Sequence, residues 1–261
     1  MGIINCTPDS FSDGGAFATS AAAITHGEAL AQEGAAILDI GGESTRPGAA
    51  PVALEEEWAR VGAVVSALAP RYVVSIDTQK AEIARRALAA GAQIVNDVSA
   101  GLTDPEMLAT VARGKGVFIA MHMRGSPATM VRDYVPYADV VAEVHAHLVE
   151  RVRAARAAGI REVWVDPGLG FGKSAEDNWQ LTRALARFSG VGDKLVYGAS
   201  RKKFLKALAG ENFTQVLLDD LTSHLTTVAV LGGAEIIRVH APAHNRAALA
   251  IAEGILSSRK W

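Results

Sequence analysis

The stretch Tyr72–Ser99, YVVSIDTQKAEIARRALAAGAQIVNDVS, holds one complete structural unit. Its first run, Tyr72–Asp77, is apolar and β-branched and ends on an acid. Lys80–Ala90 follows as an Ala-rich helical pattern, and Gly91 stands where a helix stops on a left-handed residue. A second apolar run, Gln93–Asp97, ends on Asn96 and Asp97. Both runs are continuously apolar rather than alternating, the pattern of parallel strands buried on both faces.

The same rhythm extends in both directions. Further strand-like runs are Gly2–Asn5, Ala36–Ile40, Val117–Met121, Val163–Asp166, Leu195–Gly198 and Glu235–His240. Helical patterns cover Ala21–Glu33, Leu54–Leu68, Tyr137–Ala158, Ala175–Phe188, Leu217–Leu231 and Ala243–Leu256, and Gly34 and Gly159 again precede strands. An open doubly wound sheet is built from the same alternation. Eight runs in a chain without linker or composition break favour a single (β/α)8 TIM barrel domain over 1–261. The length of 261 residues suits that reading, since such barrels take about 250.

Composition narrows the function. With 26 basic against 28 acidic residues the chain lacks the basic excess of a nucleic-acid binder, and 6% aromatics leave little for base stacking. No uncharged apolar run is long enough to span a membrane, and the N-terminus lacks the basic start of a signal peptide. The one cysteine, Cys6, cannot form an internal disulfide and fits a reducing, cytoplasmic compartment. Beside Asn5 in an apolar strand, Cys6 reads as a packed small residue.

The strand ends carry the chemistry. In order they bear Asn5, Asp39 with Gly41-Gly42-Glu43, Asp77, Asn96-Asp97, Met121-His122, Asp166, Gly198 with Ser200-Arg201-Lys202, and Arg238-Val239-His240. In a parallel barrel these ends meet at one mouth. Helix capping explains an Asp or Asn there, but not Lys202, Arg238 and His240. Asp77, Asn96 and Asp166 suit a heterocycle with N–H donors, while Arg46, Lys202, Arg238 and His240 suit a phosphate or carboxylate. Asn5 is a neutral oxygen ligand of the kind that helps hold a Mg²⁺ bridging phosphates. Two Gly- and Pro-punctuated loops, Thr7–Gly15 and Gly41–Gly48, follow the first two strands and read as segments built to close.

Some features point elsewhere. Pro167–Ser174, PGLGFGKS, looks like a phosphate-binding P-loop, but Pro167 stands where that pattern needs Gly, and Phe171 reads as a wall of the site. His145 and His147 point to different helix faces. Arg151, Arg153 and Arg156 read as a solvated helix face. Met121 and Met123 share a face opposite His122, and spacing alone leaves open which face meets the pocket.

Taken together, INCTPDSFSDGG (4–15), DIGGESTRPG (39–48), SIDT (75–78), NDVS (96–99), MHMRG (121–125), DPGLGFGK (166–173), SRKKF (200–204) and RVH (238–240) resemble the dihydropteroate synthases of folate biosynthesis nearly end to end. The resemblance implies a transferase that joins 4-aminobenzoate to a dihydropterin methyl diphosphate, assisted by Mg²⁺ on Asn5. It implies pterin contacts at Asp77, Asn96, Asp166, Lys202, Met121 and Phe171, and diphosphate contacts at Thr45, Arg46, Arg238 and His240. It implies an aminobenzoate pocket from Ser200, Lys203, Phe11 and Pro47, with Lys202, Asp77, Asp166, Arg238 and Asp13 carrying catalysis. The family is typically dimeric, and the last two helical patterns offer an interface. A pterin-binding methyltransferase domain and a non-catalytic pterin-binding paralogue are the rival readings. The chain departs from the family pattern by starting inside the first strand, which implies a barrel without the usual floor hairpin. It also departs at Cys6, at Lys203 where Ser is frequent, and at Ala241 where Asp is common.

Overall fold

The computed structural model describes residues 1–7, 20–209 and 213–257. Strands β1 (Gly2–Asn5), β2 (Ile37–Gly41), β3 (Val73–Asp77), β4 (Ile94–Asp97), β5 (Val117–Met121), β6 (Val163–Asp166), β7 (Lys194–Tyr197) and β8 (Ile236–Ile237) pair in chain order, all parallel. The ring closes because Ile3 N–H donates to Val239 O at 3.0 Å and Val239 N–H to Met1 O at 2.9 Å. The eight-stranded α/β barrel read from the sequence is therefore the fold.

Between the strands run α1 (Ser20–Gln32), α2 (Leu54–Leu68), α3 (Ala81–Ala89), α4 (Met107–Gly114), α5 (Val140–Ala157) and α6 (Ala175–Arg183). Two helices, α7 (Lys203–Ala209) and α8 (Gln215–Leu231), lie between β7 and β8, and α9 (Pro242–Ser257) follows β8. The pattern read as one helix over Ala175–Phe188 breaks at Ala184, after which Leu185–Phe188 tightens into a 3₁₀ turn. The last strand is regular only at Ile236–Ile237, shorter than the apolar run Glu235–His240.

Alternation along each strand sorts side chains into two sets. Leu38, Ile40, Val74, Ile76, Val95, Phe118 and Ala120 point outward into the core shared with the helices. Ile37, Ile94, Ile119, Trp164 and Val196 point inward and, with Met1, Val117 and Ile236 against them, fill the barrel near the strands' starts with an apolar layer. Above that layer the inward positions turn polar, and the site begins there.

Arg151 corrects an expectation. It is only 7% exposed, and its Nε donates to Ala100 O at 2.9 Å. Arg151 shares the buried face of α5 with Val144, Leu148 and Ala155, so it fastens the helix to the loop after β4. Arg156, by contrast, is exposed and pairs with Asp193.

Candidate active site

Register places Asn5, Gly41, Asp77 and Asn96 side by side on β1 to β4, one row across the mouth. Gly41 leaves a gap in that row, since a Cβ there would stand 3.5 Å from the Asp77 Cβ. The row borders a narrow slot lined by Asp77, Asn96, Met121, Asp166, Lys202 and Arg238. The slot opens into a cleft of about 650 Å³ bordered by Asn5, Thr45, Arg46, Pro47, Ser200 and His240. Thr45, Asp77, Phe171, Gly198, Lys202 and Arg238 border both.

The slot is acidic at its base. Arg238 Nε donates to Asp39 Oδ2 and Nη2 to Asp77 Oδ2, each at 2.6 Å. Asp39 Oδ2 also accepts from Asn96 Nδ2 at 3.1 Å. Burial pushes the Asp77 carboxyl above the usual carboxylate range, against the pull of Arg238. Burial disfavours the Arg238 charge, but Asp39 and Asp77 outweigh it and hold the proton on. Asp77 Oδ1 is buried without a hydrogen-bond partner among the described residues. An orphaned carboxylate oxygen beside a slot is a place for a ligand N–H, because leaving it empty costs about 1–3 kcal/mol.

Asp166 ends β6, and its Oδ1 accepts the Gly168 N–H at 2.7 Å. Burial raises its pKa. The following loop is shaped by Gly168, Gly170 and Gly172, all at positive φ; a Cβ on Gly168 would lie 1.9 Å from His122 O. Lys173 closes this loop on itself, its Nζ donating to Gly168 O at 2.9 Å and to His122 O and Phe171 O at 3.1 Å. His122 Nδ1, at 2.8 Å, is its fourth partner. The lysine of the P-loop look-alike is thus spent on structure. The loop delivers Phe171 to the slot, with the Lys202 Nζ 4.1 Å from its ring centroid. Burial, followed by repulsion from Arg238, pulls the Lys202 ammonium down to about 8.

Of the two faces at the end of β5, the methionine face meets the pocket. Met121 packs with Val98, Met130 and Phe171, and Met123 rests on that cluster. His122 turns away toward Lys173 and His147.

The outer cleft is cationic. Ser200 Oγ and His240 Nδ1 lie 2.9 Å apart, and the His240 backbone N–H donates to the same hydroxyl at 3.2 Å. Burial, with Arg201, Arg238 and Lys202 nearby, keeps the His240 imidazole neutral. Arg201, at φ 57°, borders the cleft and is held by Asp219 through two 2.8 Å bonds. That backbone turn leaves Lys202 to enter the slot while Lys203 starts α7 at the cleft edge. Thr45, Arg46 and Pro47 stand on the loop after β2, whose foot is fixed by Glu43 accepting from Val52 N at 2.8 Å.

An acceptor-lined slot joined to a cationic cleft is a two-part site for a donor-rich ring and an anion. The profile of the pterin binding enzyme family matches residues 1–240. The chain is 40% identical over 264 residues to the dihydropteroate synthase of Escherichia coli, spanning all of this chain and 92% of that protein. It belongs to the dihydropteroate synthase family. The solved dihydropteroate synthase of Xanthomonas albilineans with 4-aminobenzoic acid superposes with a TM-score of 0.90 at 44% identity, covering 98% of this chain and 92% of that one. The same enzyme in complex with 7,8-dihydropteroate gives a TM-score of 0.86 at 41% identity, covering 98% and 93%.

The residues that the family resemblance singled out gather in this one mouth. Asp77, Asn96, Asp166, Lys202, Met121 and Phe171 line the slot, and Asn5, Thr45, Arg46, Pro47, Ser200, Lys203 and His240 line the cleft. Arg238 stands where the two meet, with two of its nitrogens tied to Asp39 and Asp77. Phe11 and Asp13 lie outside the described residues. Sequence reasoning placed Asp39 among the strand-end residues but gave it no role, although an acid in the middle of the fully buried strand ILDIG was the signal of a buried pair. Cys6 is buried, and burial pushes its thiol up to about 12, consistent with packing rather than nucleophilic work.

Proposed function

We propose that the slot binds the ring of a 7,8-dihydropterin, that the cleft takes its 6-methylene diphosphate, and that 4-aminobenzoate enters beside Ser200 and Lys203. The carrying observation is the orphaned Asp77 Oδ1 together with Asp166 in a slot otherwise closed by Met121 and Phe171. Acceptors at that depth select a ring edge rich in N–H groups, and the apolar walls exclude water from it. The reaction breaks the bond between the methylene carbon and the diphosphate oxygen and forms one from that carbon to the arylamine nitrogen. The nitrogen then loses a proton to water, giving 7,8-dihydropteroate, the step of folate biosynthesis for which the family is named. The displacement is dissociative, with the ring spreading the charge of the methylene cation, so no strong general base is needed. Arg46 and Arg238 stabilise the departing anion by charge, and the neutral His240 contributes by position.

Asn5 fits a share in Mg²⁺. It is a neutral oxygen donor at the end of β1 in a cationic cleft, and the described residues form no cluster of three or more His, Cys, Asp or Glu that would cage a metal alone. A Mg²⁺ held by Asn5 and the diphosphate itself would neutralise the leaving group. The test is synthesis of dihydropteroate and diphosphate from the two substrates, with and without Mg²⁺. Product that depends on Mg²⁺ is expected, and tight pterin binding without product would overturn the reading.

We also propose a cytoplasmic homodimer joined through α8 and α9. No described helix is long and apolar enough to cross a membrane. Val228, Leu231, Ile251 and Ile255 leave large apolar groups exposed on that helix pair. Sedimentation is expected to give twice the 27.3 kDa chain mass, and a species of single-chain mass at micromolar concentration would refute the dimer.

A further inference from the structure

We infer that Asp39 is a positioning residue that determines which atoms the slot presents to the ring. Asp39 is fully buried (0% exposed) and does not border the slot or the cleft. It acts through two residues that do. Its Oδ2 accepts from Asn96 Nδ2 at 3.1 Å and from Arg238 Nε at 2.6 Å. A carboxylate only accepts, so the Asn96 amide must turn its NH₂ toward Asp39 and its oxygen the other way. An amide left alone has no such preference, because its two ends are nearly equal in size. Asn96 therefore offers the slot an acceptor because Asp39 lies behind it.

The second effect runs through Arg238. Asp39 on β2 and Asp77 on β3 occupy Nε and Nη2 of one guanidinium that comes from the far side of the ring closure. The planar fork fixes where both bonds fall. With Oδ2 of Asp77 so engaged, Oδ1 is the oxygen left without a partner. Removing Asp39 would free Arg238 to swing and Asp77 to follow it. One buried carboxylate thus sets the outward-facing atoms of two slot residues without touching substrate.

This inference rests on the pterin reading above, and epistasis tests it separately. Asp39→Ala is expected to raise the KM for the dihydropterin diphosphate by about 10- to 100-fold, the cost of orphaning buried donors. The KM for 4-aminobenzoate should stay within about twofold, since its site lies toward Ser200. Asn96→Asp should impair the otherwise unaltered chain, by placing two carboxylates 3.1 Å apart. In the Asp39→Ala background the same change should improve pterin binding, because a carboxylate presents an oxygen whichever way it turns and restores the charge beside Arg238. A group that only filled space would not show this reversal of sign. Melting curves establish that each variant is folded, and Asp39→Ser replaces Asp39→Ala if the latter does not fold. Unchanged pterin KM in a folded Asp39 variant, or Asn96→Asp harmful in both backgrounds, overturns the inference. An unaltered chain that makes no dihydropteroate overturns the functional reading itself.

Discussion

Lys202→Ala is expected to nearly abolish turnover, with kcat/KM falling by about 10²–10⁴-fold, the usual range for removing a charged group from a preorganised site. Lys202 is a half-buried cation in the acid-lined slot, with Asp166 and Asp77 as its opposing charges and the Phe171 ring beneath its ammonium. Removing it leaves those acids with Arg238 as their remaining slot cation and takes the donor away from the ring's acceptor side. The pH profile gives a second readout. Burial lowers the Lys202 pKa to about 8, so the free enzyme loses this cation as pH rises through that value. The kcat/KM of the unaltered chain should therefore decline above about pH 8, since that parameter reports the free enzyme. A guanidinium stays charged throughout that range, so Lys202→Arg should be weaker at neutral pH yet lack the decline. Wild-type-like kinetics in Lys202→Ala, or an alkaline limb unchanged in Lys202→Arg, would refute the assignment.

The sequence shows that Lys202 lies after a strand end, but not that it enters the slot among the acids. That division holds widely. Strands were legible because a buried parallel strand is a continuous apolar run, and β1, β5 and β6 begin and end where the runs do. Helix α4 was not legible. It has eight residues and buries only Met107, Thr110 and Val111, too few positions to establish a period. Arg151 could have been read correctly, since it falls in line with Val144, Leu148 and Ala155 on α5.

The site divides in the same way. Asp77 and Asn96 were visible as polar groups ending apolar runs, and inward direction follows from alternation once one member is placed. Their partners were not visible. Arg238 meets Asp39 across 199 residues, and no local pattern encodes a pairing made by barrel closure. Lys173 looked like a phosphate ligand because its neighbours are glycines. The glycines instead serve a tight loop whose carbonyls take up the lysine. Such roles come from where backbone oxygens point, which the sequence of the loop does not state.

Asp166 is where the pterin reading is most exposed to test, because two substitutions there separate recognition from architecture. One of its oxygens already accepts the Gly168 N–H at 2.7 Å, so the carboxylate shapes the loop as well as the slot. Asp166→Asn keeps an oxygen for Gly168 and turns the other position into an N–H donor. That donor would face the N–H groups of the ring, replacing attraction with an unpaired contact. Asp166→Ala removes both functions. The Asn variant should therefore keep its melting temperature within a few degrees, while kcat/KM falls by about 10²–10⁴-fold, since a site built for hydrogen bonding rejects a mismatched partner strongly. The Ala variant should lose activity to a similar degree and melt lower, because the Gly168 turn loses its acceptor. Burial raises the Asp166 pKa, so protonation at falling pH converts this acceptor into a partial donor. In the unaltered chain kcat/KM should accordingly decline on the acid side, and pterin affinity should weaken in parallel. Were Asp166 only a loop anchor, Asp166→Asn would retain near-normal kinetics, and that result would remove the carboxylate from ring recognition.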